Sequence, residues 1–274
     1  MDVHHVRIGG TSLAVHGRGS GVPLVLLHAF PLDHAMWERQ APLADHVRLI
    51  VPDLRGFGGS GGSTPESIAG FADDVAALLD ALHVARPAVI CGVSMGGYVA
   101  QHVAARHPDK VAALVLVDTR LEADTDEARA GRADLAAKVG RLGTAILADA
   151  MVPRLLGCSA AARAEPARSR LEAFLRQMIM RQPVATIQAA LAALGARPDM
   201  AAAMTRVEQP TLLVVGADDV ITPPACLERA EELMAAARLL IVPEAGHLVP
   251  LEQPHVFNAA VLEFLREAGI PAEA

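Results

Sequence analysis

The chain is poor in aromatic residues, lysine and cysteine, and it has no long apolar run. Aromatics make up 3% of its 274 residues, two of its 24 basic residues are lysine, and alanine is abundant. The longest apolar stretches, such as Val111-Ala112-Ala113-Leu114-Val115-Leu116-Val117, fall far short of the ~20 residues that a membrane-spanning helix needs. Met1-Asp2-Val3-His4-His5 has no basic stretch leading into an apolar one, so no signal peptide is expected. The three cysteines, Cys91, Cys158 and Cys226, are odd in number and lack metal-site spacing. That excludes a disulfide framework and fits reduced thiols in a cytoplasm, with Cys91 as a small buried apolar residue. A formal charge of −7 excludes the basic surface expected for nucleic-acid binding. His4 and His5 have no partner spacing for a metal and read as surface. Internal repeats are absent.

What is present is enough apolar sequence for a large core. Hydrophobic residues are 52% and charged residues 20%, the profile of an ordered globular chain. Strand-type runs occur at 3–8, 12–16, 23–27, 47–52, 87–91 and 111–117. Three of these contain stretches apolar throughout, as strands covered on both faces must be. Helical patterns fall between them at 35–43, 67–82 and 94–106. This alternation predicts a mainly parallel sheet with helices on both sides. From about Thr119 to Arg206 no strand is expected, only Ala-, Arg- and Leu-rich helical spacing broken by Pro153, Gly157, Pro166, Pro183 and Pro198. Strand character returns at 210–216 and 238–243, and a closing helix is expected from about Glu252 to Glu267. The simplest organisation is one core, residues 1–118 and 207–274, interrupted by an all-helical lid, residues 119–206. Such a lid would lie over the carboxyl edge of the sheet, where open α/β sheets bind ligands.

The stretch Val89-Ile90-Cys91-Gly92-Val93-Ser94-Met95-Gly96-Gly97 sits where an apolar strand turns into a helix. It has two readings. Ser94 is a nucleophile on a sharp turn, with Gly92 and Gly96 required because side chains there would collide. Alternatively, this is a glycine-rich joint with an N-cap serine. Acyl transfer needs an activated hydroxyl, a base, an acid that orients the base, and donors for the developing oxyanion. His247 and Asp219 supply candidates: each follows a returning strand, at the same sheet edge as Ser94. Their chain order, Ser then Asp then His, is that of hydrolases built on this architecture. The N–H of Met95, at the helix start, is a candidate oxyanion donor. Asp218 adjoins Asp219, but only one of two consecutive residues in an extended segment reaches His247.

Five motifs in order carry a resemblance: Leu26-Leu27-His28-Ala29-Phe30-Pro31-Leu32-Asp33, Pro52-Asp53-Leu54-Arg55-Gly56-Phe57-Gly58, Gly92-Val93-Ser94-Met95-Gly96-Gly97, Gly216-Ala217-Asp218-Asp219, and Gly246-His247 followed by Glu252-Gln253-Pro254. On these the chain resembles the α/β-hydrolase superfamily, and within it compact microbial carboxylesterases and the related enol-lactonases. The resemblance implies an eight-stranded, mainly parallel sheet with a helical lid. It implies Ser94 as nucleophile, His247 as base and Asp219 as acid, with Asp118, at the end of the strand after the nucleophile helix, as the main rival acid. It places the second oxyanion donor at the N–H of Phe30. Ala29 departs from the glycine common in that loop, which would be strained if the position required positive φ. His28 and the Asp53–Arg55 pair read as structural. Met151, Met178, Met180, Met200 and Met204 are read equally as pocket or core, and Trp37 and Tyr98 as packing near helix starts.

The function expected from these readings is hydrolysis of small carboxylic esters through an acyl-enzyme, by a monomer or small homo-oligomer. That chemistry calls for no metal and no organic cofactor, and the expected partner is a small ester rather than nucleic acid or membrane. Enol-lactone hydrolysis and a cofactor-free perhydrolase reaction remain alternatives within the superfamily. A ligand sensor that keeps the triad for binding and slow turnover is the alternative of a different class.

Overall fold

A computed structural model describes residues 2–158 and 166–271. Eight strands form one sheet: β1 (Asp2–Ile8), β2 (Thr11–Arg18), β3 (Pro23–Leu27), β4 (Arg48–Pro52), β5 (Ala88–Val93), β6 (Val111–Val117), β7 (Thr211–Gly216) and β8 (Ala237–Val242). Their order across the sheet is β1-β2-β4-β3-β5-β6-β7-β8. The first two joins are antiparallel, and every join from β4 to β8 is parallel. Strands β3 and β5 are buried at every position, which explains why they read as unbroken apolar runs rather than alternating ones.

Helices α1 (Ile68–Ala81) and α2 (Met95–Arg106) sit at two of the expected places. The Ser67 hydroxyl caps α1 by accepting the Gly70 N–H, and Ile68, Phe71, Val75, Leu78 and Leu79 form its buried stripe. The stretch expected as a helix at 35–43 is a 3-10 helical segment, His34–Asp45, containing Pro42. A proline there supplies no N–H for an α-helical ladder. Between β6 and β7 the described residues form helices only: α3 (Asp126–Leu142), α4 (Ala145–Leu155), α5 (Ala167–Met180), α6 (Val184–Gly195) and α7 (Ala201–Met204). Helix α8 (Ala225–Leu233), beyond the expected elements, connects β7 to β8. The expected closing helix is α10 (Pro254–Glu267), and a short helix that the expectation did not include, α9 (Val249–Glu252), precedes it. Pro254 divides them, because the residue before a proline is pushed out of the helical region; Gln253 lies at φ −126°, ψ 58°.

The core is continuous across the sheet. Trp37, fully buried, packs on Phe257 of α10 with ring centroids 6.2 Å apart. No described helix is long and apolar enough to cross a membrane.

Candidate active site

At the end of β5 the chain reverses into α2 through Ser94, which holds φ 52° and ψ −110°. A non-glycine residue at positive φ is strained, by about 1–3 kcal/mol, and such residues gather at functional sites. The turn is possible only because its flanks are bare. A β-carbon on Gly92 would lie 2.1 Å from the Gly96 carbonyl oxygen, and one on Gly96 would lie 2.2 Å from that of Leu27. Both glycines thus have a steric cause. The alternative reading of Ser94 as an N-cap finds no hydrogen bond, since its side chain caps nothing. Its backbone is pinned instead: Ser94 N–H donates to the Val117 carbonyl at 2.9 Å, and the Thr119 hydroxyl donates to the Ser94 carbonyl at 3.1 Å.

His247 and Asp219 meet at the same sheet edge. The His247 Nδ1–H donates to Asp219 Oδ2 at 2.8 Å, with both side chains buried. That bond selects the Nδ1–H tautomer of a neutral imidazole and leaves Nε2 as an acceptor. Asp219 also accepts the Ile221 and Thr222 N–H groups on Oδ1, at 2.7 and 3.0 Å, and the Thr222 hydroxyl on Oδ2 at 2.7 Å. Burial works to raise the Asp219 carboxyl, but the His247 ring and the Thr222 donors outweigh it and hold the group below its ordinary range. Ser94 and His247 line one cavity of about 460 Å³ without a direct hydrogen bond between them.

The two rival carboxylates have other duties. Asp118 is fully buried and accepts the Gly216 N–H at 2.9 Å and the Val249 N–H at 3.1 Å, tying β7 to the loop beyond His247. Burial, and then the neighbouring Asp219 charge, push the Asp118 carboxyl well above its ordinary range. Of the two carboxylates, Asp219 is the one hydrogen-bonded to the imidazole. Asp218 accepts the Cys158 N–H at 3.0 Å.

Phe30 lines the cavity, and Met95 is the first residue of α2. Neither N–H donates to an acceptor among the described residues, so both remain available to a ligand. Ala29 does not adopt positive φ, which removes the strain that its side chain would otherwise cause. His28 holds this loop to the next one: its Nδ1–H donates to the Ala29 carbonyl at 3.0 Å, and its Nε2 accepts the Leu54 N–H at 3.0 Å. Asp53 accepts from the His34 backbone and ring and from the Gly59 N–H, whereas Arg55 pairs with Asp74. Asp53 and Arg55 are thus structural, with separate partners.

Of the methionines, Met151 lines the cavity; Met178, Met200 and Met204 are buried, and Met180 is half exposed. Tyr98 lines the cavity beneath Arg197, whose guanidinium carbon lies 4.2 Å from the ring centre. Among the described residues, His16, His34 and Asp53 bring three potential metal-ligand atoms within 4.8 Å of one another. The two rings stack at 3.4 Å with 13° between their planes, so their in-plane lone pairs lie in separate, near-parallel planes and do not converge on one ion. We read this trio as a structural cluster.

Glu252 and Thr222 are among the residues that hold the site without a local pattern to mark their role. The Glu252 carboxylate accepts the Gly246 N–H at 2.8 Å and the Gly157 N–H at 2.7 Å, joining the His247 loop to the segment after α4. Thr222 had no sequence signal beyond following Asp219. Thr222→Val is expected to weaken the hold on Asp219 by about 1 kcal/mol, one hydrogen bond. The sign follows from the depressed folded-state value. Ionised Asp219 stabilises the fold above its unfolded value of about 3.9, and this is lost as pH falls through the lower folded value. Raising that folded value makes the loss occur at higher pH. Acid unfolding followed by circular dichroism should therefore shift to higher pH in Thr222→Val; an unchanged midpoint would contradict this role.

A family model described as the alpha/beta hydrolase fold matches residues 22–254. The chain is 33% identical over 261 residues to a pimeloyl-[acyl-carrier protein] methyl ester esterase of Chromobacterium violaceum, covering 93% of this chain and 98% of that one. Among solved structures it is similar to a thermophilic esterase from Thermogutta terrifontis, with a TM-score of 0.91, 36% identity, and coverage of 98% and 99% of the two chains. It is also similar to the enol-lactonase from Burkholderia xenovorans LB400, with a TM-score of 0.87, 28% identity, and coverage of 96% and 100%. The chain belongs to the alpha/beta hydrolase family.

Proposed function

We propose that the protein is a serine hydrolase that cleaves small carboxylic esters through an acyl-enzyme on Ser94. The observation that carries this reading is the buried 2.8 Å bond between His247 and Asp219, on a ring that faces the same cavity as the Ser94 turn. In the reading, His247 Nε2 takes the Ser94 proton as Oγ attacks the ester carbonyl, and Asp219 stabilises the imidazolium that forms. The N–H groups of Phe30 and Met95 receive the oxyanion, where loss of one donor typically costs about 3 kcal/mol. The tetrahedral intermediate collapses, the carbon–oxygen bond to the alcohol breaks, and His247 protonates the leaving alkoxide. A water deprotonated by His247 then attacks the acyl-enzyme and releases the acid. Helices α3, α4 and α6 contribute Arg132, Met151 and Leu191 to the cavity wall, which supports a cap over the strand ends. The esterases among its relatives support the ester class.

The test is hydrolysis of p-nitrophenyl esters from acetyl to decanoyl, together with fluorophosphonate labelling mapped by mass spectrometry. Turnover on the shorter chains and a single adduct on Ser94 are expected. No turnover on any member of the series, or labelling at another serine, would overturn the proposal.

A further inference from the structure

The cavity wall is not neutral. Three guanidinium groups, Arg120, Arg132 and Arg154, line it against one carboxylate, Asp124. Asp124 is already satisfied. It pairs with Arg132, and Arg197 Nη1 lies 2.7 Å from its Oδ1. Burial alone would raise the Asp124 carboxyl, but Arg132 and Arg197 outweigh burial and keep it ionised. No carboxylate among the described residues pairs with Arg120 or Arg154. Arg120 Nη2 donates to the Ile221 carbonyl at 2.5 Å, while its Nε–H is buried with no acceptor. Arg154, at the end of α4, makes no hydrogen bond or ion pair to another described residue although it lines the cavity. In a chain of net charge −7, a wall with this excess of positive charge above Ser94 is a local inversion.

We infer that Arg120 and Arg154 form an acidic-group subsite, and that the favoured esters carry a free carboxylate on the acyl chain: half-esters of dicarboxylic acids. The inference rests on the hydrolase reading and narrows its substrate class. Neither Arg120 nor Arg154 has a carboxylate partner among the described residues, so a carboxylate in the cavity they line would meet two uncompensated guanidiniums, whose planar forks match its two oxygens. With a small alcohol such as methanol as the leaving group, the acyl chain is what fills the cavity. Its terminal charge then meets the arginines while the ester carbonyl meets Ser94.

The experiment compares monomethyl esters of dicarboxylic acids of four to eight carbons with methyl esters of the matching straight-chain monoacids. Turnover of the wild-type protein is followed in a pH-stat. Affinity is followed separately by calorimetry on Ser94→Ala protein, which leaves the ester intact. At the best chain length the half-ester is expected to show a KM, and a Kd on Ser94→Ala, about tenfold below the neutral ester, the size of one charge-assisted hydrogen bond. Adding Arg154→Gln is expected to reduce that ratio toward one, Arg154→Glu to invert it, and added salt to shrink it. Equal Kd values for half-ester and neutral ester at every length would overturn the subsite, as would a ratio that Arg154→Gln leaves unchanged. If wild type turns over neither series, the hydrolase reading fails, and the Kd ratio on Ser94→Ala still decides the subsite.

Discussion

Ser94→Ala is expected to lower kcat for ester hydrolysis by on the order of 10⁴- to 10⁶-fold, the range seen when a hydrolase loses its nucleophile. The fold should not change. The Ser94 hydroxyl makes no hydrogen bond within the described structure, so its removal leaves no buried group unsatisfied. The strain of φ 52° is already present with serine, and alanine at the same position adds no new atom to the crowded turn. Thermal unfolding should therefore stay within about 0.5 kcal/mol of wild type, as for a substitution that breaks no packing or network. The two readouts together are the diagnostic. Serine kept only for the architecture of a strand–helix joint would lose stability and keep turnover; a nucleophile loses turnover and keeps stability. Residual activity above about one part in a hundred, with unaltered acyl preference, would remove Ser94 from the reaction.

Asp219→Asn should lower kcat by about 10⁴-fold, whereas Asp118→Asn should stay within about tenfold of wild type. The first figure is that for exchanging the acid of a serine triad for its amide. Asparagine can turn an N–H toward His247 Nδ1, which then becomes the acceptor. The ring proton moves to Nε2, and Nε2 can no longer take a proton from Ser94. Asp118 makes no hydrogen bond to the imidazole. It accepts two backbone N–H groups, and asparagine retains one acceptor oxygen, so the loss falls on stability more than on chemistry. Asp118→Ala, which leaves both the Gly216 and Val249 N–H groups unpaired, should lower unfolding free energy by about 1–3 kcal/mol for each group. Steady-state kinetics on a short-chain p-nitrophenyl ester and denaturant unfolding would read both effects. A reversed ranking of Asp118→Asn and Asp219→Asn would move the acid to β6.

Much of the site is legible along the chain because it lies at strand ends. An apolar run such as Leu24-Val25-Leu26-Leu27 announces a strand buried on both faces, and the residue after such a strand must reach one edge of a parallel sheet. That places the loops bearing Phe30, Ser94, Asp219 and His247 on a common side before any distance is known. Local chemistry also marks Gly92 and Gly96, since only a bare backbone lets Ser94 turn so sharply. Where local signals were incomplete, the reading lost detail. Pro42 breaks the helical spacing of 35–43 into a 3-10 segment, and the short α9 before Pro254 carries too few residues to show a period.

Sequence by itself determined the sheet, the interruption by helices and the order Ser, Asp, His, because these depend on periodicity, glycine sterics and chain order. Tertiary structure alone decided which carboxylate meets the imidazole. Asp118, Asp218 and Asp219 all stand at carboxyl ends of strands, and only the path of the loop turns Asp219 toward His247 and Asp118 toward two backbone amides. The cavity charge was likewise invisible in a chain of net charge −7. Arg120, Arg132 and Arg154 are separated by up to 34 positions and belong to a loop and two helices, so their convergence is a product of packing and not of any local pattern.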